Sequence, residues 1–287
     1  MATRDVTRAT ELPSVPASNA RSAWARHRNL LSELVRRDLK ARYRGSNLGI
    51  LWSLLNPLIF MIVYSIIFSQ FIRFPVKGAA YPVFLLAGLL AWNFFSQAML
   101  AAVGSILANA TIVKKVAFPW GFLPLSTILA AFVNYLISLL LLVPVLIFFH
   151  SPVGPPMLAL PLVIAVVFIL ALGLGLLLAA TNVYFRDLEY LLSIALQVGF
   201  FATPIIYSLD LVTDKVGAGS AKAKAVFFVI GLNPMAWIAT SFQDILAFNR
   251  WPVHWQGLLY STVFSILALV AGIVAFRRLQ GRFAEEL

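Results

Sequence analysis

Residues 48–72 read LGILWSLLNPLIFMIVYSIIFSQFI and contain no acidic or basic side chain. A helix of about 20 apolar residues crosses the roughly 30 Å hydrocarbon core of a bilayer. The bilayer offers no partners to backbone N–H and C=O groups, so only helices and closed β-barrels cross it. Barrel strands alternate apolar and polar residues, whereas this stretch is apolar almost throughout. It therefore predicts a membrane-spanning helix.

Five further apolar stretches predict an all-α polytopic membrane protein with six transmembrane helices. Of the 287 residues, 61% are hydrophobic and 11% are charged, whereas a soluble domain has about 25% charged residues. The chain has no cysteine, which excludes disulfides, thiol catalysis and cysteine-based metal sites. The predicted spans are Leu48–Ile72, Tyr81–Ser105, Pro119–Phe149, Leu158–Val183, Leu191–Leu209 and Trp255–Phe276.

The distribution of basic residues predicts the orientation of these spans. Six spans place sixteen lysines and arginines on the side of both termini and six on the other side. Basic loops stay in the cytoplasm, so both termini are expected there. Residues 1–28 lack the apolar core of a signal peptide and are expected to form a flexible cytosolic tail. Retention of basic residues on the cytoplasmic side also explains the net charge of +11, so we expect no nucleic-acid partner.

Residues 226–248 are predicted to re-enter the membrane from outside without crossing it. The apolar run at 226–231 is too short to span, and Asn233-Pro234 is a favourable N-cap and first-turn pair for a second short helix. A seventh span is the alternative, but it would place Arg277 and Arg278 outside.

Residues 29–46 are predicted to form an amphipathic helix in the cytoplasmic interface. Its polar face contains four basic residues at which an anionic lipid headgroup would bind, and its opposite face is apolar. Asp38 and Arg42 interrupt this pattern, and their spacing of four predicts an ion pair between them. A simple membrane anchor and a working role remain equally open. The four basic residues are Arg36, Arg37, Lys40 and Arg44.

None of the eleven acidic residues lies in the middle of a predicted span. Ion-coupled transporters generally place such a charge there, so a proton-driven pump is disfavoured, as is carboxylate-based glycan hydrolysis. Asp244 is interpreted as a solvated loop residue. The sequence also has no G-x-x-x-x-G-K-[ST] phosphate loop, so ATP-derived energy would have to enter through a partner.

Two short cytoplasmic loops are the predicted contacts for that partner. Residues 111–118 contain Lys114, Lys115 and Phe118, and residues 182–190 contain Arg186 and Asp187. Both loops lie on the side with more basic residues.

Amides and aromatic rings inside the spans are candidates for a transport path. Helix–helix hydrogen bonds and aromatic belts are their ordinary roles, but rings stack on sugar C–H faces and amides bind hydroxyls, which would suit a glycan. The candidates are Trp52, Asn56, Tyr64, Trp92, Asn93, Gln97, Gln197, Tyr207, Trp237, Phe242 and Gln243.

Several short blocks follow one another along the chain: LVRRDLKARYRGS at 34–46, LGILWSLLNPL at 48–58, VKKVAFP at 113–119, YFRDL at 184–188, TPIIYS at 203–208 and LNPM at 232–235. Their order resembles ABC-2 type permeases that export polysaccharides, the O-antigen, teichoic acid, capsule and mycobacterial galactan exporters. The resemblance covers about residues 30–278. It places a permease domain at 47–278, between the interface helix at 29–46 and a cytosolic C-terminal tail at 279–287.

The resemblance implies a homodimer in the bacterial plasma (inner) membrane, surrounded by its lipids, with two ABC ATPase subunits. It implies that a lipid-linked polysaccharide is exported, and that ATP and Mg are bound by the ATPase, with no catalytic residue, metal or cofactor in this chain.

Three other functions remain open. An ABC-2 exporter of drugs or lipids would be encoded beside resistance genes rather than glycosyltransferase genes. A membrane-embedded glycan enzyme would act on a lipid-linked sugar without an ATPase. A passive channel or structural membrane protein would not co-purify with an ATPase.

Overall fold

A computed structural model describes residues 20–71, 76, 78–111 and 119–287. These residues form helices, with no strand among them, so the all-helical prediction is confirmed. Short 3-10 or π-helical segments extend several of the helices. The α-helices are α1 Ala20–Tyr43, α2 Trp52–Ser65, α3 Tyr81–Val103, α4 Phe122–Leu139, α5 Leu142–Phe148, α6 Leu160–Asn182, α7 Leu188–Ala202, α8 Leu209–Gly217, α9 Ala221–Leu232, α10 Pro234–Leu246, α11 Trp255–Leu279 and α12 Phe283–Glu286.

Among the described residues, five helical segments are long and apolar enough to cross a membrane. They correspond to the first four predicted spans and to the last one, which confirms a polytopic helical protein. Their limits in the structure are Gly49–Phe68, Tyr81–Val103, Phe122–Phe148, Pro155–Asn182 and Trp255–Arg282.

The remaining predicted span, Leu191–Leu209, is shorter in the structure. Its helix α7 has 15 residues, a length of about 22 Å, which is less than the roughly 30 Å hydrocarbon core. The helix ends at Ala202 because proline disfavours helical geometry in the residue before it. Thr203, which precedes Pro204, has extended backbone angles (φ −98°, ψ 134°).

The bend predicted at Asn233-Pro234 is present. Helices α9 and α10 meet there at an angle of 92°. The Asn233 side chain caps α10 by accepting a hydrogen bond from the Met235 N–H at 3.0 Å, and its Nδ2 donates to Thr203 Oγ1 at 2.9 Å. Each of these two helices is too short to cross a membrane alone. That the pair enters and leaves the membrane on the same side remains a prediction.

Helix α3 lies at the centre of the bundle. Its apolar window is 78% buried, against 11% for the first span, and it packs on α2, α4, α6 and α10. Helices α6 and α11 pack backbone to backbone through two glycines. A Cβ on Gly173 would lie 2.4 Å from the Leu269 backbone nitrogen, and one on Gly272 would lie 2.3 Å from the Gly173 carbonyl oxygen. Small residues allow this close approach in membrane helices.

The two ends of the described chain lie at the same end of the bundle, which we call the proximal end. His27 of α1 contacts Phe122 at 5.7 Å between ring centroids, and Phe283 near the C-terminus stacks on Trp120 at 5.9 Å. The opposite, distal end contains the α9–α10 bend, and there Tyr81 Oη donates to the Ile206 carbonyl oxygen at 2.8 Å. Shared placement of the termini agrees with the charge distribution, and their cytoplasmic location remains a prediction.

Candidate functional site

Helix α1 begins nine residues earlier than the predicted interface helix and ends at Tyr43. Residues 20–28, assigned to a flexible tail, are therefore helical, and residues 1–19 lie outside the described part. Arg36 and Lys40 are exposed on this helix, and Arg44, the first residue after it, is exposed as well. Arg37 donates to Asn109 Oδ1 at 3.0 Å and pairs with Asp38 at 2.9 Å. Three of the four predicted headgroup residues thus point away from the bundle.

The predicted ion pair between Asp38 and Arg42 is wrong, because each side chain binds a different helix. Ser126 Oγ of α4 donates to Asp38 Oδ2 at 2.7 Å, and Arg42 Nη1 donates to Gln97 Oε1 of α3 at 2.8 Å. These residues interrupt the amphipathic pattern because they join α1 to the bundle.

A polar cavity of about 370 Å³ lies between the C-terminal end of α1 and helices α2, α3 and α4. Its volume is within the range of small-molecule sites. Four of the predicted path residues line it together, two of them one turn apart on α2 and two one turn apart on α3. These are Trp52, Asn56, Asn93 and Gln97.

The cavity wall also contains a pair of neighbours on α4. Asn134 Oδ1 accepts a hydrogen bond from Tyr43 Oη at 2.8 Å. Asn134 Nδ2 and Tyr135 Oη are buried and have no hydrogen-bond partner within the described residues. Tyr135 was not among the sequence candidates. The available signal was its position beside Asn134, one turn before Ser138, in an otherwise apolar run.

Tyr64 and Trp92 lie in an aromatic cluster on the α7 side of α3. Both rings contact Phe200, with centroid distances of 6.2 and 6.1 Å. A Cβ on Gly199 would approach the Trp92 ring at 2.9 Å, so glycine allows α7 to pack here. Neither ring lines the polar cavity.

Two candidates on α7 and just after it lie elsewhere. Gln197 is exposed on α7. Tyr207 Oη donates to the Phe201 carbonyl oxygen at 3.3 Å and holds the turn that follows the helix.

The three candidates on α10 have structural contacts. Phe242 and Gln243 are each 1% exposed, so they do not reach a path through this chain. Gln243 Nε2 donates to the Pro204 carbonyl oxygen at 2.8 Å. Trp237 Nε1 donates to the Gly231 carbonyl oxygen at 3.0 Å across the α9–α10 bend.

Asp244 is buried rather than solvated, which contradicts its interpretation as a loop residue. Its carboxylate is 1% exposed and accepts from Arg250 Nη2 at 2.7 Å, Arg250 Nε at 2.8 Å and the Val253 N–H at 3.0 Å. Arg250 also lies 3.8 Å from Asp210 at the start of α8 and 4.5 Å above the Phe248 ring. This cluster holds residues 247–254, which we call the distal loop, against α8 and α10.

A second cavity, of about 660 Å³, lies at the proximal end beside residues 183–188. Arg186 and Asp187 line it, together with Glu286 of the C-terminal segment. Tyr184 Oη donates to the Leu279 carbonyl oxygen at 2.8 Å, which holds the loop against α11. The other three predicted coupling residues lie outside the described part of the chain. These are Lys114, Lys115 and Phe118.

Comparison with known proteins gives a consistent result. The family model of the ABC-2 type transporter matches residues 29–247. The O-antigen export system permease protein RfbA of Myxococcus xanthus is 36% identical and that of Klebsiella pneumoniae 32% identical, covering 91% and 90% of this chain and 96% and 95% of theirs. The polysialic acid transport protein KpsM of Escherichia coli is 26% identical, over 90% of this chain and 96% of its own.

Proposed function

Because the chain belongs to the ABC-2 type transporter family, we propose that it is the membrane-spanning subunit of an ATP-driven exporter of a lipid-linked polysaccharide. The observation that supports this most is the similarity to permeases named for O-antigen export along nine-tenths or more of both chains. The glycan would be of the O-antigen, teichoic acid or galactan type, and the membrane would be the bacterial plasma (inner) membrane.

The proximal loop at 183–188 is the proposed contact for an ABC ATPase. Arg186 and Asp187 provide one charge of each sign beside the cavity, and Phe185 is 67% exposed. An exposed aromatic ring rimmed by charges is typical of a protein interface. Because Tyr184 holds this loop against α11, force applied to it would reach the membrane helices. Two ATPases, which bind ATP and Mg, would serve a homodimer of this chain.

The exposed face of α1 is the proposed contact for the anionic part of the cargo. Arg36 and Lys40 are four residues apart and form a basic stripe on α1, and Arg44 lies just beyond the end of the helix. Arginine and lysine make charge-assisted hydrogen bonds to phosphate oxygens. Attraction to anionic membrane lipids would use the same stripe, at about 1 kcal/mol per basic residue.

A family member that exports drugs or other lipids is the first alternative. The relatives named above are transport proteins for O-antigen and polysialic acid, which favours a glycan. They are named as permease and transport proteins, which favours a transporter component over an enzyme.

Deletion of the gene in its native bacterium tests the proposal. We expect loss of surface polysaccharide and accumulation of lipid-linked glycan on the inner face of the membrane, with both restored by the gene in trans. The purified chain should co-purify with an ATPase. A deletion strain that keeps its surface polysaccharide and changes its drug sensitivity would refute the glycan cargo.

A further inference from the structure

The polar cavity between α1, α2, α3 and α4 is lined by two residues whose polar atoms the rest of the described fold does not use. Asn134 and Tyr135 are 5% and 3% exposed, yet Asn134 Nδ2 and Tyr135 Oη have no partner among the described residues. A buried polar group without a hydrogen bond costs about 1–3 kcal/mol. Four other buried side-chain atoms in the described part of the chain are unpartnered, but they belong to residues far apart from one another in sequence. These two are neighbours on one helix and line one cavity.

We infer that this cavity is a binding site for the glycosyl phosphate unit of a lipid-linked glycan, and that Asn134 and Tyr135 turn their buried polar atoms toward the sugar ring when it binds. This inference rests on the proposed function and adds a place and a pair of residues to it. The cavity volume of about 370 Å³ is at the lower end of small-ligand sites, which suits one sugar unit rather than a polymer.

The distribution of polar groups in the cavity fits the two parts of such a ligand. The cavity lining contains amides and hydroxyls, among them the exposed Asn56 and the half-buried Asn93, and sugar hydroxyls bind both kinds of group. Trp52 is 47% exposed, and its ring provides an apolar face for sugar C–H groups.

The cavity wall contains a positive charge that would attract a phosphate. Arg42 is the one charged residue among the described residues that line the cavity, and it is exposed at the end of α1. Its guanidinium donates to Gln97 through Nη1. A guanidinium has five N–H donors, so the others remain for an anion. A ligand with an anionic group outside and hydroxyls inside matches this arrangement.

The test uses the full chain in phosphatidylcholine nanodiscs and three radiolabelled probes. These are farnesyl diphosphate bearing one N-acetylglucosamine, farnesyl diphosphate alone, and phosphatidylinositol, which also combines a phosphate with a polyol. We expect the first probe to bind most tightly. Equal binding of farnesyl diphosphate alone would overturn the sugar site, and tighter binding of phosphatidylinositol would assign the cavity to a membrane lipid.

Tyr135→Phe is the decisive variant because it removes only the unpartnered hydroxyl. The loss of one hydrogen bond should weaken binding of the sugar-bearing probe roughly three- to tenfold. The melting temperature of the variant should stay the same or rise. Loss of a hydroxyl that stabilised the fold would lower it. Asn134→Ala should weaken binding as well, and if it fails to fold, Tyr135→Phe still decides.

Tyr260→Phe is the matched control, because its hydroxyl donates to the Leu232 carbonyl oxygen outside the cavity, and its binding should be unchanged. Unaltered binding in Tyr135→Phe, or a bound-state structure with only ordered water at Asn134 and Tyr135, would overturn the inference. The proposed function would survive either result as long as the deletion strain still loses its surface polysaccharide.

Discussion

Arg250→Ala should open the distal loop more often than Asp244→Asn does, because the carboxylate is the deeply buried partner. Asp244 is 1% exposed and Arg250 is 39% exposed. Without Arg250, the carboxylate keeps only the Val253 N–H of the three donors that it has now. Removing one member of a buried ion pair costs about 3–5 kcal/mol. Water reaches the position vacated by Arg250, so we expect a cost at the lower end of this range, about 3 kcal/mol.

Asp244→Asn replaces the buried charge with an amide of the same shape and lets the half-exposed guanidinium return to water. Its cost is a weaker, neutral hydrogen bond from Arg250 and the loss of the bond from the Val253 N–H, which the amide NH2 cannot accept, about 2 kcal/mol in all. The double variant has neither the buried charge nor its partner. Its loop should therefore open less often than the loop of Arg250→Ala alone, as expected for coupled neighbours.

Cysteine labelling measures this opening, because the chain has no cysteine of its own. Ala247 follows α10 and is 2% exposed, so Ala247→Cys reacts with a soluble maleimide only when the loop opens. Arg250→Ala should raise the labelling rate on the order of 100-fold and Asp244→Asn on the order of tenfold. Lys224→Ala, an exposed change on α9, is the control and should leave the rate unchanged. Equal rates in the two variants, or a faster rate in Asp244→Asn, would refute the reasoning.

Three further predictions concern coupling, cargo and topology. Replacing Arg186 and Asp187 by alanine should lower cargo-stimulated ATP hydrolysis severalfold while membrane insertion stays normal, and normal coupling would contradict ATPase docking at this loop. Reversing the charge of Lys40 and Arg44 should reduce export more than membrane insertion, because both are exposed and neither forms a hydrogen bond or ion pair within the described residues, and a parallel loss would favour the anchor. Single cysteines at the two ends of the α9–α10 pair should both react with an impermeant thiol reagent from outside, whereas a cysteine near the C-terminus should not. Labelling of the two ends from opposite sides would mean a seventh span. The three positions are Lys222, Trp251 and Glu285.

The spans were predictable because hydrocarbon imposes a minimum length of apolar helix. The break at Asn233-Pro234 was predictable for a local reason, the capping of α10 by the Asn233 side chain. Pro204 gives an equally local signal, since it ends α7 at Ala202, whereas the predicted span Leu191–Leu209 runs past it. In each case a few neighbouring residues determine the backbone.

The candidate site was only partly predictable, because burial depends on which helices meet. Asn56, Asn93 and Gln243 are all amides in or near apolar segments. The first two line the cavity, whereas Gln243 holds a backbone carbonyl oxygen in the core. The role of Asp244 was missed for the same reason, since its partner Arg250 reaches it only after the chain turns beyond α10.

The contacts of α1 favour a working role for this helix over a simple anchor. An anchor needs only an apolar face toward the membrane, but α1 joins the bundle through polar bonds from Asp38, Arg42 and Tyr43. Arg42 and Tyr43 also form part of the cavity wall. At about 1 kcal/mol for each net hydrogen bond, the three bonds together provide about 3 kcal/mol. The binding free energy of a ligand is large enough to offset the energy of these three bonds. Ligand binding in the cavity and the position of α1 would therefore influence each other.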